Sequence, residues 1–497
     1  MLFNSYFFIL VFLPIILILF FLSAKYNHKM SLIILLLASF IFYCWDNYYY
    51  GIILIFSIMI NFLISKKILE FNDEALKKYL LILGIIFNLV LLFYFKYINF
   101  FIQNMNVINN NKINLVNITL PIGISFFTFT QIAYLVDSYR GLIQKSKLLN
   151  YALFVTYFPH LIAGPIIHHK EVMPQFEKKT IFIAHSRNLL IGLTTFTIGL
   201  FKKVVLADYL SRLVIPVFDT HILSISTLDA WIGALAYTFE LYFDFSGYCD
   251  MCIGISFMFG IKLPVNFYSP YKSTNIIEFW QRWNITLSRF LRDYLYIPLG
   301  GNRKGTIRKY INLMLTMLLG GLWHGANWTF AAWGILHGIY LCINHAWIAL
   351  KKYLNIYTSD SLIVIYLSRL LTFIAIVIGW VFFRASNFTS ALKILHAMFF
   401  EAFINSNKWY LPHATQFFSI PKIICLMLLL FVITTFFPNI YQILSRFRPA
   451  LLIQNKFNLN TLISWKPNLI WNTIIAMIFV ISVIFIQSSS VFLYFQF

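Results

Sequence analysis

Apolar runs about as long as a bilayer is thick recur from one end of this chain to the other. No other feature limits its fold so much. A helix needs about 17–25 mostly apolar residues to cross a hydrocarbon core about 30 Å thick. Runs of that length, or nearly so, begin near Tyr6, Met30, Tyr49, Tyr79, Leu120, Tyr151, Leu189, Ala230, Ile311, Trp328, Leu362, Pro421 and Leu469. Several are short, polar or broken by Gly and Pro. Irregular backbone at membrane depth is tolerated only where protein buries it or water lines it, so some of these runs are expected to be re-entrant. The expected fold is an all-α polytopic membrane protein with about 10–13 membrane segments by the span-length rule. There is no internal repeat and no separate soluble domain. Residues 1–497 read as one membrane domain, with 484–497 as a C-terminal tail carrying "FLYFQF". The run from Tyr6 to Leu22 lacks a basic leader and is long for a signal segment, so it reads as a retained first span.

Composition agrees. Hydrophobic residues make up 60% and charged residues 11%, against about 25% charged in soluble domains. The net charge is 38 − 17 = +21. In a membrane chain this implies topogenic loops and contact with anionic lipids. No basic soluble domain exists to bind nucleic acid, whereas part of the charge is free to meet a phosphorylated cosubstrate. The five cysteines lie in or beside apolar runs. "CDMC" (Cys249, Cys252) has redox spacing but no second ligand pair, so the cysteines read as small core residues and no metal is expected.

Lysine and arginine in short loops set the orientation. Lys25 and Lys29 place the first loop inside and the N-terminus outside. Lys145 and Lys147 before "YALFVTYFPHLIAGPII", and Lys170, Lys178 and Lys179 after it, put both its ends inside. That segment is therefore expected to be a re-entrant hairpin broken at Pro159, Gly164 and Pro165. The largest basic loop runs from Lys262 to Lys309. Arg446 and Arg448 start the last span inside, which leaves the C-terminus, with Tyr494, outside.

Polar residues inside apolar runs are costly and draw attention first. Ser125, Thr128, Thr130 and Gln131 interrupt Leu120–Gly141, which Asp137 and Arg140 close; that helix either packs through these groups or lines a substrate path. His160 in the hairpin is a candidate cavity residue, while His168 and His169 are expected at the interface. Asp244 and Asp250 in "FDFSGYCDM" need partners, and arginines of the following loop are the expected ones. "EFWQRWNITLSRFLRDYLYIPLGGNRKG" reads as an amphipathic interfacial helix followed by a flexible basic turn. Trp280, Arg282, Trp283, Arg289, Arg292, Asp293, Arg303 and Lys304 make it either a topogenic anchor or the doorway for an anionic cosubstrate. His324 lies fifteen residues past Lys309, about 22 Å along a helix and so past the middle of the bilayer. Trp323, Trp328 and Trp333 are placed to wall a pocket there. An imidazole at that depth can exchange a proton near neutral pH. His337 reads as structural.

Together these stretches resemble the membrane-bound O-acyltransferase superfamily, most closely its bacterial branch for acylating cell-envelope polysaccharides. "FPHLIAGPI", "FDFSGYCDM", "FWQRWNITLSRFLRDYLYIPLGGNRKG", "GLWHGANWTFAAWGILHG" and "FFRA" carry the likeness, which covers nearly the whole chain. It implies a ring of about 11 transmembrane helices, with re-entrant and interfacial helices, around a central tunnel. The family's essential histidine falls on His324 and its second signature position on Asn284. Close relatives often have His at the latter; an amide there orients a thioester or oxyanion rather than moving a proton. The tail resembles a Phe-x-Tyr-Phe-like motif of a small partner in the D-alanylation system, whose tyrosine is regarded as an acyl relay. The implied activity is transfer of acetyl from cytosolic acetyl-CoA, with no bound cofactor, through Tyr494 to an extracytoplasmic partner of SGNH type. That partner acetylates a polysaccharide. Richness in Ile, Lys, Asn and Phe suggests an AT-rich genome and favours peptidoglycan over alginate or teichoic acid as acceptor. The implied setting is the bacterial inner membrane. A lipid or anion transporter, and a scaffold recruiting the true transferase, are the competing readings.

Overall fold

The structure is a computed structural model, and it describes residues 1–109, 112–144, 147–219, 225–355, 361–401, 419–451, 463–486 and Leu493. Every apolar run named above begins on or beside a helix. Among the described residues five helices are long and apolar enough to cross a membrane, and five further apolar helices are shorter. The protein is a multi-pass membrane protein built from helices.

Helices α1 (Leu13–Ala24), α2 (His28–Cys44), α3 (Tyr48–Glu70) and α4 (Glu74–Leu92) pack in sequence order. Asn27, Asn47 and Asp73 each accept a first-turn N–H, so polar caps mark where the apolar runs begin. A reciprocal amide pair, Asn61 with Asn88, joins α3 to α4 (Nδ2–Oδ1 2.6 and 3.3 Å). α4 then passes through a π-turn, Phe93–Tyr97, into α5 (Ile98–Asn109) without ending. In α6 (Ile124–Tyr139) Gln131 donates to Ser57 and accepts from Tyr151, so the polar groups of this helix serve packing to α3 and to α7 (Leu148–Thr156).

The Tyr151–Ile167 segment breaks as its prolines and glycine require. α7 ends at Thr156, α8 is the single turn Phe158–Leu161, and irregular backbone runs on to His168, before α9 (His169–Val172). This stretch is buried almost throughout.

The core is organised around α12 (Thr227–Met258), a 32-residue helix whose side chains are almost all buried. It packs against α10 (Ser186–Phe201) and α11 (Asp208–Phe218), which a π-turn, Lys202–Ala207, joins into one rod. The α10–α12 contact is backbone on backbone. A Cβ added at Gly199 would lie 2.5 Å from the Gly247 carbonyl oxygen, and one at Gly247 would lie 2.7 Å from that of Gly199. Small residues at this crossing are a packing requirement.

The carboxylates of α12 do not pair with arginines of the following loop, as expected from the sequence. Lysines of the preceding π-turn take them. Lys202 Nζ lies 2.6 Å from Asp250, and Lys203 Nζ lies 2.6 Å from Asp244 and 2.8 Å from Asp208. The π-turn points two consecutive lysines at one helix, and buried charges persist only when so paired.

The expected single interfacial helix also differs. Residues 276–296 form α13 (Ile276–Arg282), α14 (Ile285–Leu291) and a π-turn, Arg292–Tyr296. The break falls at Asn284, which is left-handed (φ 42°, ψ 54°), and most of the segment's apolar side chains are buried in the core. A basic turn follows, with positive φ at Gly300, Gly301 and Gly305. The chain then re-enters as α15 (Thr306–His324) and returns as α16 (Trp328–Tyr353). Gly321 and Gly334 let these two meet closely. α17 (Leu362–Arg384), α18 (Phe388–Phe400) and the helices Ile420–Phe436 and Leu469–Ile484 complete the described fold.

Candidate active site

His324 is the last residue of α15, and Gly325 beyond it is extended. The imidazole is 5% exposed. Rings of Trp323, Trp333 and Phe383 stand around it edge-on, with centroids 4.9, 5.2 and 5.1 Å away. The end of α15 is held from α4–α5. Lys96 Nζ donates to the carbonyls of Trp323 (2.7 Å) and His324 (2.9 Å), and Tyr97 Oη donates to that of Leu322 (2.9 Å).

A cavity of about 620 Å³ opens between α13, α14, the basic turn, α15 and α16. Its cations are Arg289, Arg292 and Lys309, and Trp280, Met317 and Leu341 form part of its apolar lining. Arg289 is held bidentately by Glu171, and Arg292 by Asp293 (2.7 and 3.2 Å). Lys309 has no carboxylate partner among the described residues; its ammonium lies 5.5 Å from the Tyr310 ring. Trp280 connects the cavity to His324 through rings alone: Trp280 to Trp333 is 5.7 Å, and Trp333 to His324 is 5.2 Å. Beside this path the indole N–H groups of Trp280 and Trp333 and both ring nitrogens of His337 are buried, with no hydrogen-bond partner among the described residues. They are unspent polar groups facing an apolar passage.

The other expected site residues fall as follows. Arg282 is tied to Glu278 and to the Tyr268 carbonyl, outside the cavity lining. Trp283 stacks among Phe279 and Trp380. Arg303 and Lys304 are exposed on the basic turn, also outside the lining. His160 is buried and bonded to the Phe154 carbonyl (3.0 Å), a packing role. Asn284 supplies the left-handed residue between α13 and α14; no hydrogen bond joins it to His324 among the described residues. His168 and His169 are not free interfacial side chains. They converge with Tyr294 on one oxygen of Asp137, at 2.7 Å for His168, 3.3 Å for His169 and 2.7 Å for Tyr294. This ties α6 to the hairpin and to the π-turn beside the cavity.

Tyr494 lies outside the described residues. Leu493, immediately before it in sequence, is described. Its side chain is 8% exposed within the core, and its N–H donates to Asp244 Oδ2 of α12 at 3.1 Å. Lys96, Tyr97, Lys203 and the orphan indoles were not anticipated. A lone lysine in "LLFYFKYINF" was the available signal for the first.

Comparison with known proteins bears on this arrangement. The model of the MBOAT, membrane-bound O-acyltransferase, family matches residues 21–388. That stretch holds His324, Asn284 and the cavity and ends before the tail. The chain is 45% identical over 425 residues to the peptidoglycan O-acetyltransferase of Helicobacter pylori, with 80% of each chain covered. It is 42% identical over 406 residues to the probable alginate O-acetylase AlgI of Pseudomonas aeruginosa, covering 80% of this chain and 75% of that one. Against the teichoic acid D-alanyltransferase of Streptococcus thermophilus it is 31% identical over 252 residues, 47% of this chain and 59% of the other.

Proposed function

Since this chain belongs to the membrane-bound O-acyltransferase family and is an acyltransferase, we propose that it moves acetyl from cytosolic acetyl-CoA across the inner membrane for O-acetylation of peptidoglycan. The observation that carries the reading is the joining of a basic cavity to His324 through Trp280 and Trp333.

Acetyl-CoA is too large and charged to cross a bilayer, so only its acetyl group need pass. The nucleotide end docks at Arg289, Arg292 and Lys309. The pantetheine arm follows the ring-lined path, where the unpartnered indoles of Trp280 and Trp333 donate to its amide carbonyls. This gives buried polar groups the partners they lack. The acceptor is Tyr494, brought inward by the tail from the outer side. The burial of Leu493 and its bond to Asp244 support that direction.

His324 takes the phenol proton, which at a free pKa of about 10 needs a base. The phenoxide oxygen adds to the thioester carbonyl. The tetrahedral adduct expels the CoA sulfur, which recovers the proton from the imidazolium. The products are acetyl-tyrosine and CoA. A phenyl ester is a good acyl donor, so a serine of an extracytoplasmic SGNH-type partner can accept the acetyl and pass it to a sugar hydroxyl. Peptidoglycan is preferred as final acceptor because the relative that acts on it aligns at 45% identity, against 42% for the alginate relative.

Purified protein incubated with acetyl-labelled CoA is expected to carry label on the peptide containing Tyr494. Absence of protein-bound acetyl would remove the relay. Peptidoglycan retaining its acetyl groups in a deletion strain would remove the assigned acceptor.

A further inference from the structure

We propose that Lys96 is a positioning residue for His324, acting through the backbone of the helix end that carries it. Lys96 sits inside the long apolar helix from Glu74 to Asn109. A cation there is expensive and calls for a reason. The two other lysines packed into the core have carboxylate partners: Lys202 has Asp250, and Lys203 has Asp208 and Asp244. Lys96 makes no ion pair among the described residues. Its ammonium instead donates to the carbonyls of Trp323 and His324, at 2.7 and 2.9 Å, and lies 6.0 Å from the Trp323 ring centroid.

Those carbonyls belong to the last turn of α15, where no helical N–H remains to bond them. Gly325 is extended, so the chain does not close the helix with a left-handed cap. The cap comes from another helix. The π-turn Phe93–Tyr97 shifts the register so that Lys96 and Tyr97, adjacent in sequence, reach three successive carbonyls, Leu322, Trp323 and His324. A cation against a helix C-terminus is also favoured by the helix dipole. The result is a clamp on the turn that aims the imidazole into its ring of Trp323, Trp333 and Phe383.

The inference rests on His324 being the base, so its test carries two readouts. The first is acetyl transfer from labelled acetyl-CoA by purified protein in detergent, for wild type, K96M, K96R and H324A. K96M is expected to keep KM within about twofold while kcat falls about 10²-fold, the scale of a misplaced catalytic group. K96R, which retains a cation and donors long enough to reach the carbonyls, is expected to recover at least about a tenth of wild-type kcat. The second readout is amide hydrogen exchange of a peptide spanning 322–330. It is expected to quicken in K96M and to stay at the wild-type rate in K96R. Wild-type kcat and exchange in K96M overturn the clamp. Wild-type transfer by H324A overturns the reading of His324 instead, and exchange in K96M then still decides whether the clamp exists. If K96M does not fold, Y97F takes its place, and unchanged kcat and exchange in Y97F overturn the proposal.

Discussion

The backbone N–H of Leu493 donates to Oδ2 of Asp244 across 3.1 Å, joining residues 249 positions apart. The bond brings the end of the chain onto the central helix, against a carboxylate that Lys203 also holds. Asp244→Asn and deletion of residues 491–497 are therefore expected to be coupled. In a double-mutant cycle on thermal unfolding, the coupling should be about 1.5–3 kcal/mol, the range for hydrogen bonds to charged groups. Additive losses would show that the tail does not use this carboxylate.

Tyr494→Phe preserves the apolar character of the tail and removes only the phenol. It is expected to abolish acetylation of the envelope with the protein still present in the membrane, measured by released acetate from isolated cell wall. His324→Ala is expected to leave Tyr494 unlabelled. Label on Tyr494 in that variant would exclude His324 as the base.

Lys309 is the cavity cation without a carboxylate to hold it. Lys309→Ala is expected to raise KM for acetyl-CoA about tenfold, about 1.4 kcal/mol of binding, with kcat little changed. Arg303→Ala and Lys304→Ala, exposed outside the cavity, should leave KM near the wild-type value. Kinetics across a salt series check this, because the Lys309 effect should shrink as salt rises.

Asn284 occupies a left-handed conformation that Asn, Asp and His enter more readily than other side chains. Asn284→Val is expected to cost about 1–2 kcal/mol of stability, whereas Asn284→Gly and Asn284→His fold normally. Activity separates the two roles of this position. Full activity in Asn284→Gly means that the turn alone matters; loss of kcat in a stable Asn284→Gly assigns work to the amide.

Helix placement could be read from the sequence because bilayer thickness sets the length of apolar runs, and the break at Pro159 and Gly164 announced itself in residues that cannot continue a helix. The apolar helix Phe388–Phe400 was missed: it is 13 residues long and carries Lys393 and His396. Partner choice was less legible. Asp244 and Asp250 had arginines close ahead in sequence, yet the π-turn at Lys202–Ala207 turned two lysines from behind onto α12. The convergence of His168, His169 and Tyr294 on Asp137 depends on how three distant segments pack. His324 stood out because an imidazole deep in an apolar run is rare, whereas Lys96 looked like a single topogenic charge. Hydropathy reports depth, and only packing reports direction.

The π-turn at Phe93–Tyr97 has a genetic consequence. Such a turn accommodates one residue more than the surrounding α-helix requires. Losing any single residue there would let the helix become regular, rotating everything beyond it by about 100° and shortening it by about 1.5 Å. Composition and span length would hardly change, yet the residues before and after the turn would no longer be in phase with their separate partners on α6 and at the end of α15. In this stretch an in-frame one-codon deletion should therefore be more damaging than most single substitutions. A substitution removes one contact, whereas the deletion swings a whole half-helix off the clamp.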